Sequence, residues 1–226
     1  MKLRAELVSK QFLRTAKGTN IFMALEKTDF ELVEGKLTVL TGRSGSGKST
    51  LLSILSGILA PTTGKVFWGE QDLYEMEDEA LSKLRNRSFG FVPQGSSAIR
   101  SLTVLENVLL PFTLYGEGEG MEKYAKELLD KMGILNLQNA MPNELSGGEM
   151  RRMAIARALI RRPEVVFADE PTGDLDDENT EMVFQLLKDM TRDGTSVLMV
   201  THENDAKKYA DYLYCMNAGK LCVDDM

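Results

Sequence analysis

The first part of the chain alternates apolar and polar residues with a period of two. Leu3, Ala5 and Leu7 alternate with Arg4, Glu6 and Val8. Residues 28–32 and 65–68 are similar, and glycines lie between these segments. A period of two is typical of strands with one buried face, and glycine marks the turns between them. The pattern predicts an antiparallel sheet at one side of the fold.

Three later segments are apolar almost throughout: residues 36–41, 165–168 and 196–200. Near-continuous apolar strands are expected in a parallel sheet that helices cover on both faces. Between these segments, residues 121–132 and 182–190 carry apolar side chains at the three-and-four spacing of one helix face. The two patterns together predict an α/β fold.

Composition narrows the class of protein. Of the 226 residues, 43% are apolar, which excludes disorder as the main state. Lys and Arg total 27 against 34 Asp and Glu, a formal net charge of −7, so we expect no nucleic-acid partner. No apolar run reaches the roughly 18 residues that span a bilayer, and the N-terminus lacks the apolar core of a signal peptide. We expect one domain that is neither secreted by itself nor embedded in a membrane.

The two cysteines flank a predicted hairpin turn. Cys215 and Cys222 lie on either side of Asn217-Ala218-Gly219-Lys220. If Ala218 and Gly219 form a two-residue loop, the cysteines lie opposite each other. They could be a redox pair or metal ligands, but we favour two small residues on paired strands, because disulfides are rare inside cells.

A glycine-rich loop follows the apolar segment 36–41 and precedes a predicted helix. The match to G-x-x-x-x-G-K-[ST] comprises Gly42, Arg43, Ser44, Gly45, Ser46, Gly47, Lys48, Ser49 and Thr50. Small residues let several backbone N–H groups face one phosphate, and the helix N-terminus adds the positive end of its dipole. Lys48 can reach the outer phosphates, and the Ser49 hydroxyl can hold Mg²⁺. The loop predicts a nucleotide site.

Two adjacent acids end the apolar segment 165–168. Asp169 can lie beside Mg²⁺, directly or through water. Glu170 is the next residue, so its side chain can point elsewhere and polarise an attacking water. Acids also end strands in ordinary solvent-facing loops, but the phosphate loop strengthens the functional interpretation.

A second anion-binding helix start lies at Leu145-Ser146-Gly147-Gly148-Glu149. Ser146 is a good N-cap, and the two glycines leave backbone N–H groups uncovered. A chain that already has one phosphate-binding loop does not need a second one for the same nucleotide. The arrangement makes sense if this helix end faces a nucleotide held by a second copy.

These motifs resemble those of the ATP-binding cassette (ABC) ATPases. Gly42 to Thr50 resembles their Walker A motif, residues 165–170 their Walker B motif and Leu145 to Glu149 their signature motif. The resemblance continues with Gln94 as the Q-loop glutamine, Gly173-Asp174-Leu175-Asp176 as the D-loop and His202 as the switch histidine. Phe12 resembles the aromatic residue that stacks on adenine, with Phe22 as the competitor.

His202 has two interpretations. It is the only histidine and follows an apolar segment. A lone histidine is commonly a structural residue. Here, however, the carboxyl ends of parallel strands are expected to face one ligand crevice. The resemblance implies that His202 contacts the γ-phosphate and supports the attacking water.

The resemblance implies a P-loop NTPase fold of ABC type. Its features are a mostly parallel core sheet flanked by helices, an N-terminal antiparallel β region and a helical insert over approximately residues 95–160 of a single domain, 1–226. The implied ligands are ATP and Mg²⁺, with Ser49, Gln94 and Asp169 at the metal. Glu170, His202 and Gln94 are the implied catalytic residues. Two copies are expected to dimerise on ATP, sharing the nucleotides through Ser146, Gly147, Gly148 and Asp176.

Further residues resemble one branch of this family, the ATPases of lipoprotein release, macrolide export and antimicrobial-peptide resistance. They are residues 102–111, residues 168–176, and Ala24 with Leu25. The branch implies an export or release system, a separate membrane permease and a location at the cytoplasmic face of the membrane. Residues 95–98, Gly-Ser-Ser-Ala, depart from the bulky residues common there, which leaves the partner open.

Two other functions stay open. One is a non-transport ABC ATPase of the cell-division or iron–sulfur assembly type, which would use the same motifs with a different partner. The other is a nucleotide-binding module without turnover. The presence of both Glu170 and His202 disfavours the second, because a degenerate site commonly loses one of them.

Residues 95–116 are predicted to contact the permease. They carry more apolar side chains than one helix stripe needs, so some can form a groove for a permease helix. The alternative is that all of them pack inside the helical insert. Residues 116–120, Gly-Glu-Gly-Glu-Gly, predict a flexible loop at the edge of the insert.

Overall fold

The computed structural model describes residues 3–14, 20–95, 97–117 and 120–223. The strands are β1 (Leu3–Arg14), β2 (Asn20–Leu32), β3 (Leu37–Thr41), β4 (Thr63–Trp68), β5 (Gln71–Asp72), β6 (Phe89–Val92), β7 (Val165–Asp169), β8 (Ser196–Val200), β9 (Tyr212–Asn217) and β10 (Lys220–Val223). The α-helices are α1 (Lys48–Leu55), α2 (Asp78–Ser88), α3 (Val104–Thr113), α4 (Glu122–Lys131), α5 (Gly147–Leu159) and α6 (Asp177–Arg192). Short 3₁₀ helices cover Leu73–Glu75, Leu135–Leu137, Pro142–Glu144 and Asn204–Tyr209.

The strands form two sheets. The first is antiparallel, in the order β2-β1-β4-β5. The second has the order β10-β9-β3-β8-β7-β6, in which every neighbouring pair except β10 with β9 is parallel. The predicted mostly parallel core sheet and N-terminal antiparallel region are therefore confirmed.

The parallel sheet is covered on both faces. Val39, Val166 and Val197 belong to a buried cluster with side chains of α3 to α6. Leu40 and Leu198 belong to a second cluster with α1 and the antiparallel sheet. Successive side chains of a strand point to opposite faces. Burial on both sides explains why these strands are apolar at nearly every position.

The alternation predicted for the first strand fails at Leu7. The register with β2 shifts between Ala5 and Val8, and Leu7 has a φ of 49°. An extra residue at such a bulge reverses the faces of the residues that follow it. Leu7 is consequently 55% exposed, whereas Val8 is buried.

The predicted C-terminal hairpin is confirmed, but the preferred interpretation of its cysteines is wrong. Cys215 on β9 lies directly opposite Cys222 on β10, and the structure joins them in a disulfide. Their Cα atoms are 5.2 Å apart, within the range that a disulfide requires. The predicted cross-strand position of the two cysteines is therefore confirmed, but they are bonded to each other, which we did not expect.

Helices α3, α4 and α5 contribute to one buried cluster with the parallel sheet. They fall within residues 95–160, whose division into a helical subdomain stays a prediction. In the predicted flexible loop, Gly118 and Glu119 lie outside the described residues. Glu117 accepts hydrogen bonds from Arg87, at 2.8 Å, and from Arg161, at 2.6 Å. Among the described helices, none combines the length and apolarity needed to cross a membrane.

Candidate functional site

The glycine-rich loop connects β3 to α1, and its glycines adopt conformations that favour glycine. Gly42 and Gly47 have φ values of 148° and 111°. A Cβ atom on Gly42 would lie 2.4 Å from the Met216 carbonyl oxygen, and one on Gly47 would lie 2.4 Å from that of Ala24. Side chains at these positions would clash with backbone that cannot easily move. The loop is therefore packed tightly against β2 and β9.

The tip of the C-terminal hairpin supports this loop. The Gly219 N–H donates to the Ser46 carbonyl oxygen at 2.8 Å, and the Glu26 N–H donates to the Gly219 carbonyl oxygen at 2.9 Å. The hairpin thus joins the loop to β2. The local pattern of residues 42–50 contains no sign of this long-range support.

Lys48 and Ser46 place an ammonium group and a hydroxyl group in the interior of the loop. The Lys48 ammonium donates to the carbonyl oxygens of Gly42, at 2.7 Å, and Arg43, at 3.1 Å. The Ser46 hydroxyl is buried without a hydrogen-bond partner among the described residues. A buried hydroxyl without a partner is costly, and a phosphate oxygen would satisfy it.

The two acids predicted at the end of β7 lie beside this loop. The Ser49 hydroxyl donates to Asp169 Oδ1 at 3.0 Å. Glu170 has a φ of 48°, and its N–H donates to the Val200 carbonyl oxygen at 2.8 Å. Strained backbone of this kind is concentrated at functional sites. The left-handed turn separates the directions of two adjacent carboxylates.

His202 and Glu170 are in contact. Glu170 Oε2 lies 2.9 Å from His202 Nδ1 and accepts the backbone N–H of His202 at 3.3 Å. The Glu170 side chain is only 12% exposed, whereas that of His202 is 70% exposed. The imidazole therefore lies at the mouth of the site, with the carboxylate beneath it.

Gln94 and the phenylalanines are exposed. Gln94 follows β6, whose carboxyl end lies at the same edge of the parallel sheet as those of β3, β7 and β8. Phe12 and Phe22 are opposite each other in the β1–β2 register, and their exposed fractions are 39% and 37%. Since directly opposite side chains share a face of the ribbon, both remain candidates for stacking on adenine.

The predicted signature residues begin α5. Ser146 is the N-cap, and its hydroxyl accepts the Glu149 N–H at 3.3 Å while Glu149 Oε2 accepts the Ser146 N–H at 2.7 Å. The Ser146 N–H lowers the pKa of Glu149. Gly147 and Gly148 lie against Asp174, so a Cβ atom on either would meet that residue at 3.4 to 3.5 Å.

Asp176, at the end of the predicted D-loop, caps a different helix. Its carboxylate accepts the N–H of Asn179, at the start of α6, at 2.8 Å. This bond lowers the pKa of Asp176. The capping bonds of Ser146 and Asp176 lie within their own helix starts, and Ser146 is exposed.

Comparison with known proteins identifies the family. Residues 25–173 match the family described as "ABC transporter". The chain belongs to this family. It is an ABC ATPase subunit, and members of the family bind and hydrolyse ATP.

Its relatives among ABC proteins include two export or release systems. It is 38% identical over 221 residues to the lipoprotein-releasing system ATP-binding protein LolD of Xanthomonas euvesicatoria, covering 97% of this chain and 89% of LolD. It is 38% identical over 208 residues to the macrolide export ATP-binding/permease protein MacB of Chlorobaculum tepidum. That match covers 92% of this chain but only 32% of MacB.

The fold agrees with solved ABC cassettes. A dimeric structure of the bacterial ABC transporter cassette MJ0796 has a TM-score of 0.90 and 34% identity, with 98% of each chain covered. A dimeric post-hydrolysis state of the same cassette, bound to ADP and Pi, has a TM-score of 0.89 and 33% identity, again over 98% of each chain. The predicted ABC fold is confirmed.

Two contacts around the ABC site were not predicted. The Thr172 hydroxyl donates to Glu203 Oε1 at 2.8 Å. This bond joins the loop after Glu170 to the loop that contains His202. Arg151 of α5 donates to the Pro93 carbonyl oxygen at 2.6 Å. These residues adjoin motif positions, which is the only signal of them in the sequence. Their partners are set by the tertiary fold.

The buried carboxyl group of Asp169 is predicted to lower the stability of the nucleotide-free protein in a pH-dependent way. Burial raises the pKa of Asp169, and the Ser49 hydrogen bond offsets part of this effect. Because the folded state then binds the proton more tightly than the unfolded state, stability is lost as pH rises through the folded pKa. We expect Asp169→Asn to raise the melting temperature at pH 7.5 by a few degrees, since each kcal/mol corresponds to about 2–4 °C. Thermal melts without nucleotide measure it.

The gain should shrink as the pH falls toward 4, because protonated Asp169 and asparagine are both neutral. Asp130→Asn, on the exposed side of α4, is the control and should change little at either pH. A gain that is independent of pH would contradict this account of Asp169.

Proposed function

We propose that this chain binds and hydrolyses ATP in order to drive a separate membrane permease in an export or extracytoplasmic release system. The observation that carries the proposal is the arrangement at the end of β7. There, Ser49 contacts Asp169 beside the phosphate loop, and the next residue, Glu170, contacts His202. Relatedness to LolD and MacB supports the export or release class.

The phosphates of ATP bind in the loop from Gly42 to Thr50. Lys48 exchanges its bonds to loop carbonyls for bonds to the outer phosphates, because an ammonium gains more from a phosphate than from a carbonyl. The unsatisfied Ser46 hydroxyl and the start of α1 supply further donors. Phe12 stacks on adenine, with Phe22 as the alternative.

The residues present fit Mg²⁺. Asp169 is a buried carboxylate whose pKa is raised by burial, so a cation beside it relieves the cost of its charge. Ser49 and Asp169 supply oxygen atoms already within 3.0 Å of each other, and Gln94 supplies a third. Ser49, Asp169 and Gln94 would hold the metal, and its charge would offset the negative charge of the phosphates.

Glu170 acts on the attacking water. Its carboxylate is poorly exposed and fixed by the backbone N–H of His202, so it is held in position to accept a proton from water. The His202 ring, in contact with the same carboxylate and largely exposed, orients the water and the γ-phosphate. Gln94, which follows β6 at the same edge of the sheet, is the third proposed catalytic residue.

Two copies of the chain assemble around two ATP molecules. Ser146 caps an exposed helix start, whose first N–H groups, those of Gly147 and Gly148, have no acceptor within the helix. Each such helix start completes the nucleotide site of the other copy. Asp176 and its loop lie beside the interface. A two-fold dimer supplies both composite sites from one surface. The dimeric state of the MJ0796 cassette supports this proposal.

The permease holds this subunit at the cytoplasmic face of the membrane. A candidate docking groove of about 210 Å³ lies between β6, α3 and α5. Its apolar lining residues include Phe89, Phe91, Leu110 and Pro111. Leu114 also lines it and is 65% exposed, whereas Val104 and Val108 are fully buried. The apolar side chains of this region thus divide between the core and the surface.

We expect Leu114→Glu to prevent permease binding while sparing partner-free ATP hydrolysis. A charge at an apolar interface costs roughly 1.4 kcal/mol or more, so the co-purified permease should fall at least about tenfold. Phosphate release and co-purification with a co-expressed permease are measured on the same preparations. Val223→Glu, at a residue that is 73% exposed on β10, is the control. An intact complex with Leu114→Glu would exclude this groove, and recovery of wild type in a soluble complex instead would favour a non-transport ATPase.

A further inference from the structure

Helix α5 carries two arginines whose bonds go to backbone on either side of Gln94. Arg151 is only 6% exposed, and its Nη1 donates to the Pro93 carbonyl oxygen at 2.6 Å. Arg157 lies further along the helix, and its Nη1 donates to the Ser97 carbonyl oxygen at 2.9 Å. Its Nη2 also donates to the Ser97 hydroxyl. We call Pro93, Gln94, Gly95 and Ser97 the Gln94 segment.

Arg151 has a second contact, with the loop that follows Glu170. Its Nε donates to the Gly173 carbonyl oxygen at 3.4 Å. A Cβ atom on Gly173 would lie 3.5 Å from Arg151 Nη2. One guanidinium therefore lies between the Gln94 segment and the predicted D-loop. It also belongs to the helix that Ser146 caps.

Burying these cations is expensive, and the partners described here are mostly carbonyl oxygens. A buried guanidinium loses hydration that neutral acceptors only partly replace. Burial accordingly lowers the pKa of Arg157. An apolar side chain could fill the same volume at lower cost. The fixed fork of arginine instead holds several acceptors in one geometry.

We propose that Arg151 and Arg157 are positioning residues that clamp the Gln94 segment to α5, so that Gln94 and Ser146 keep one relative geometry during turnover. This inference rests on the proposed ATPase function. Neither arginine touches the reacting atoms. They hold Gln94, which acts on the nucleotide bound by its own chain, in a fixed position relative to Ser146. Ser146 acts on the nucleotide bound by the second copy. Loss of the clamp leaves the phosphate loop intact and slows the step that needs both elements.

The first test separates turnover from nucleotide binding. Arg151→Met should lower kcat about tenfold, the effect of losing a charged hydrogen bond, while KM for ATP and the ATP-dependent thermal shift stay near wild type. Arg151→Lys should recover part of kcat, because lysine retains one donor. Arg162→Met is the matched control, since its guanidinium stacks on Tyr124 instead. A rise in KM or a lost thermal shift would show general damage to the nucleotide site and overturn the proposal.

The second test is a double-mutant cycle on Arg157 and Ser97. Arg157→Met removes the donor and Ser97→Ala removes the acceptor of the hydrogen bond between the guanidinium and the Ser97 hydroxyl. If the clamp operates, the double variant should have about the same kcat as Arg157→Met alone. If the double variant instead loses kcat by the product of the two single-variant factors, the residues act independently, which contradicts the clamp. Ser97→Ala keeps this test available if an arginine variant fails to fold.

The third test needs no nucleotide. Hydrogen exchange at the amides of Gln94, Gly95 and Ser97 should become about tenfold faster in Arg151→Met and Arg157→Met, with exchange in β7 unchanged. Unchanged exchange in the Gln94 segment would overturn the clamp. Because exchange is measured on the nucleotide-free protein, this result stands even if the wild-type chain hydrolyses no ATP, which would instead refute the proposed function.

Discussion

Glu170→Gln is expected to bind ATP and to lose at least about a hundredfold in turnover, the size of effect associated with a general base. Glutamine is nearly isosteric, and its carbonyl can still accept the His202 N–H, so the loop geometry survives. The amide cannot take a proton from water. Asp169 and Ser49 are unchanged, so binding of the nucleotide is retained. Steady-state phosphate release measures the loss.

The same variant should accumulate as a dimer in the presence of ATP, because the closed state cannot proceed to products. Size-exclusion chromatography with and without ATP detects this shift. Adding Ser146→Arg should abolish the dimer, since bulk and charge then occupy the helix start that serves the second copy. Glu127→Gln, exposed on α4, should behave as wild type. Wild-type phosphate release by Glu170→Gln would assign the base to another group.

Lys48→Ala should remove the thermal stabilisation that ATP gives to the wild-type protein. At a hundredfold excess over Kd, binding contributes about 2.7 kcal/mol, which corresponds to a rise of roughly 5–10 °C for a chain of this size. The variant loses the ammonium that is buried among loop carbonyls and available to phosphate. Differential scanning fluorimetry with and without Mg-ATP gives the shift.

Only the difference between the two melts is used, because Lys48→Ala also loses bonds to Gly42 and Arg43 and should melt earlier without ligand. Lys83→Ala, which removes an exposed ion pair with Glu79 on α2, controls for a lost lysine. An undiminished shift in Lys48→Ala would refute the phosphate-loop assignment.

The sequence predicted strands best where burial acts on every residue. Residues 196–200 coincide with β8, since a strand covered on both faces is apolar throughout. The first strand was less tractable. Its alternation is interrupted at Leu7, where a bulge shifts the register, and no local pattern marks that shift. A period-two pattern carries no information about which residue is extra.

The site was predictable to the extent that it lies at the ends of parallel strands. Asp169 ends β7 and His202 follows the adjacent strand β8, so their proximity to the phosphate loop follows from topology. The clamp arginines and the disulfide were not predictable in the same way. Arg151 meets Pro93 across 58 residues of sequence, and that pairing depends on how α5 packs on β6.

The strand order has a consequence for how the protein is made. The phosphate loop is an early part of the chain, but β3 lies between β8 and β9. Thr41, the last residue of β3, donates to the carbonyl oxygen of Tyr214, 173 residues later. At synthesis rates of about 5–20 residues per second, the loop waits roughly 10–35 s for its neighbours. A nascent chain on the ribosome therefore holds a complete Walker A sequence without the hydrogen bond that Gly219 donates to the loop. Bound nucleotide can stabilise the loop fully only after the C-terminal hairpin has been synthesised.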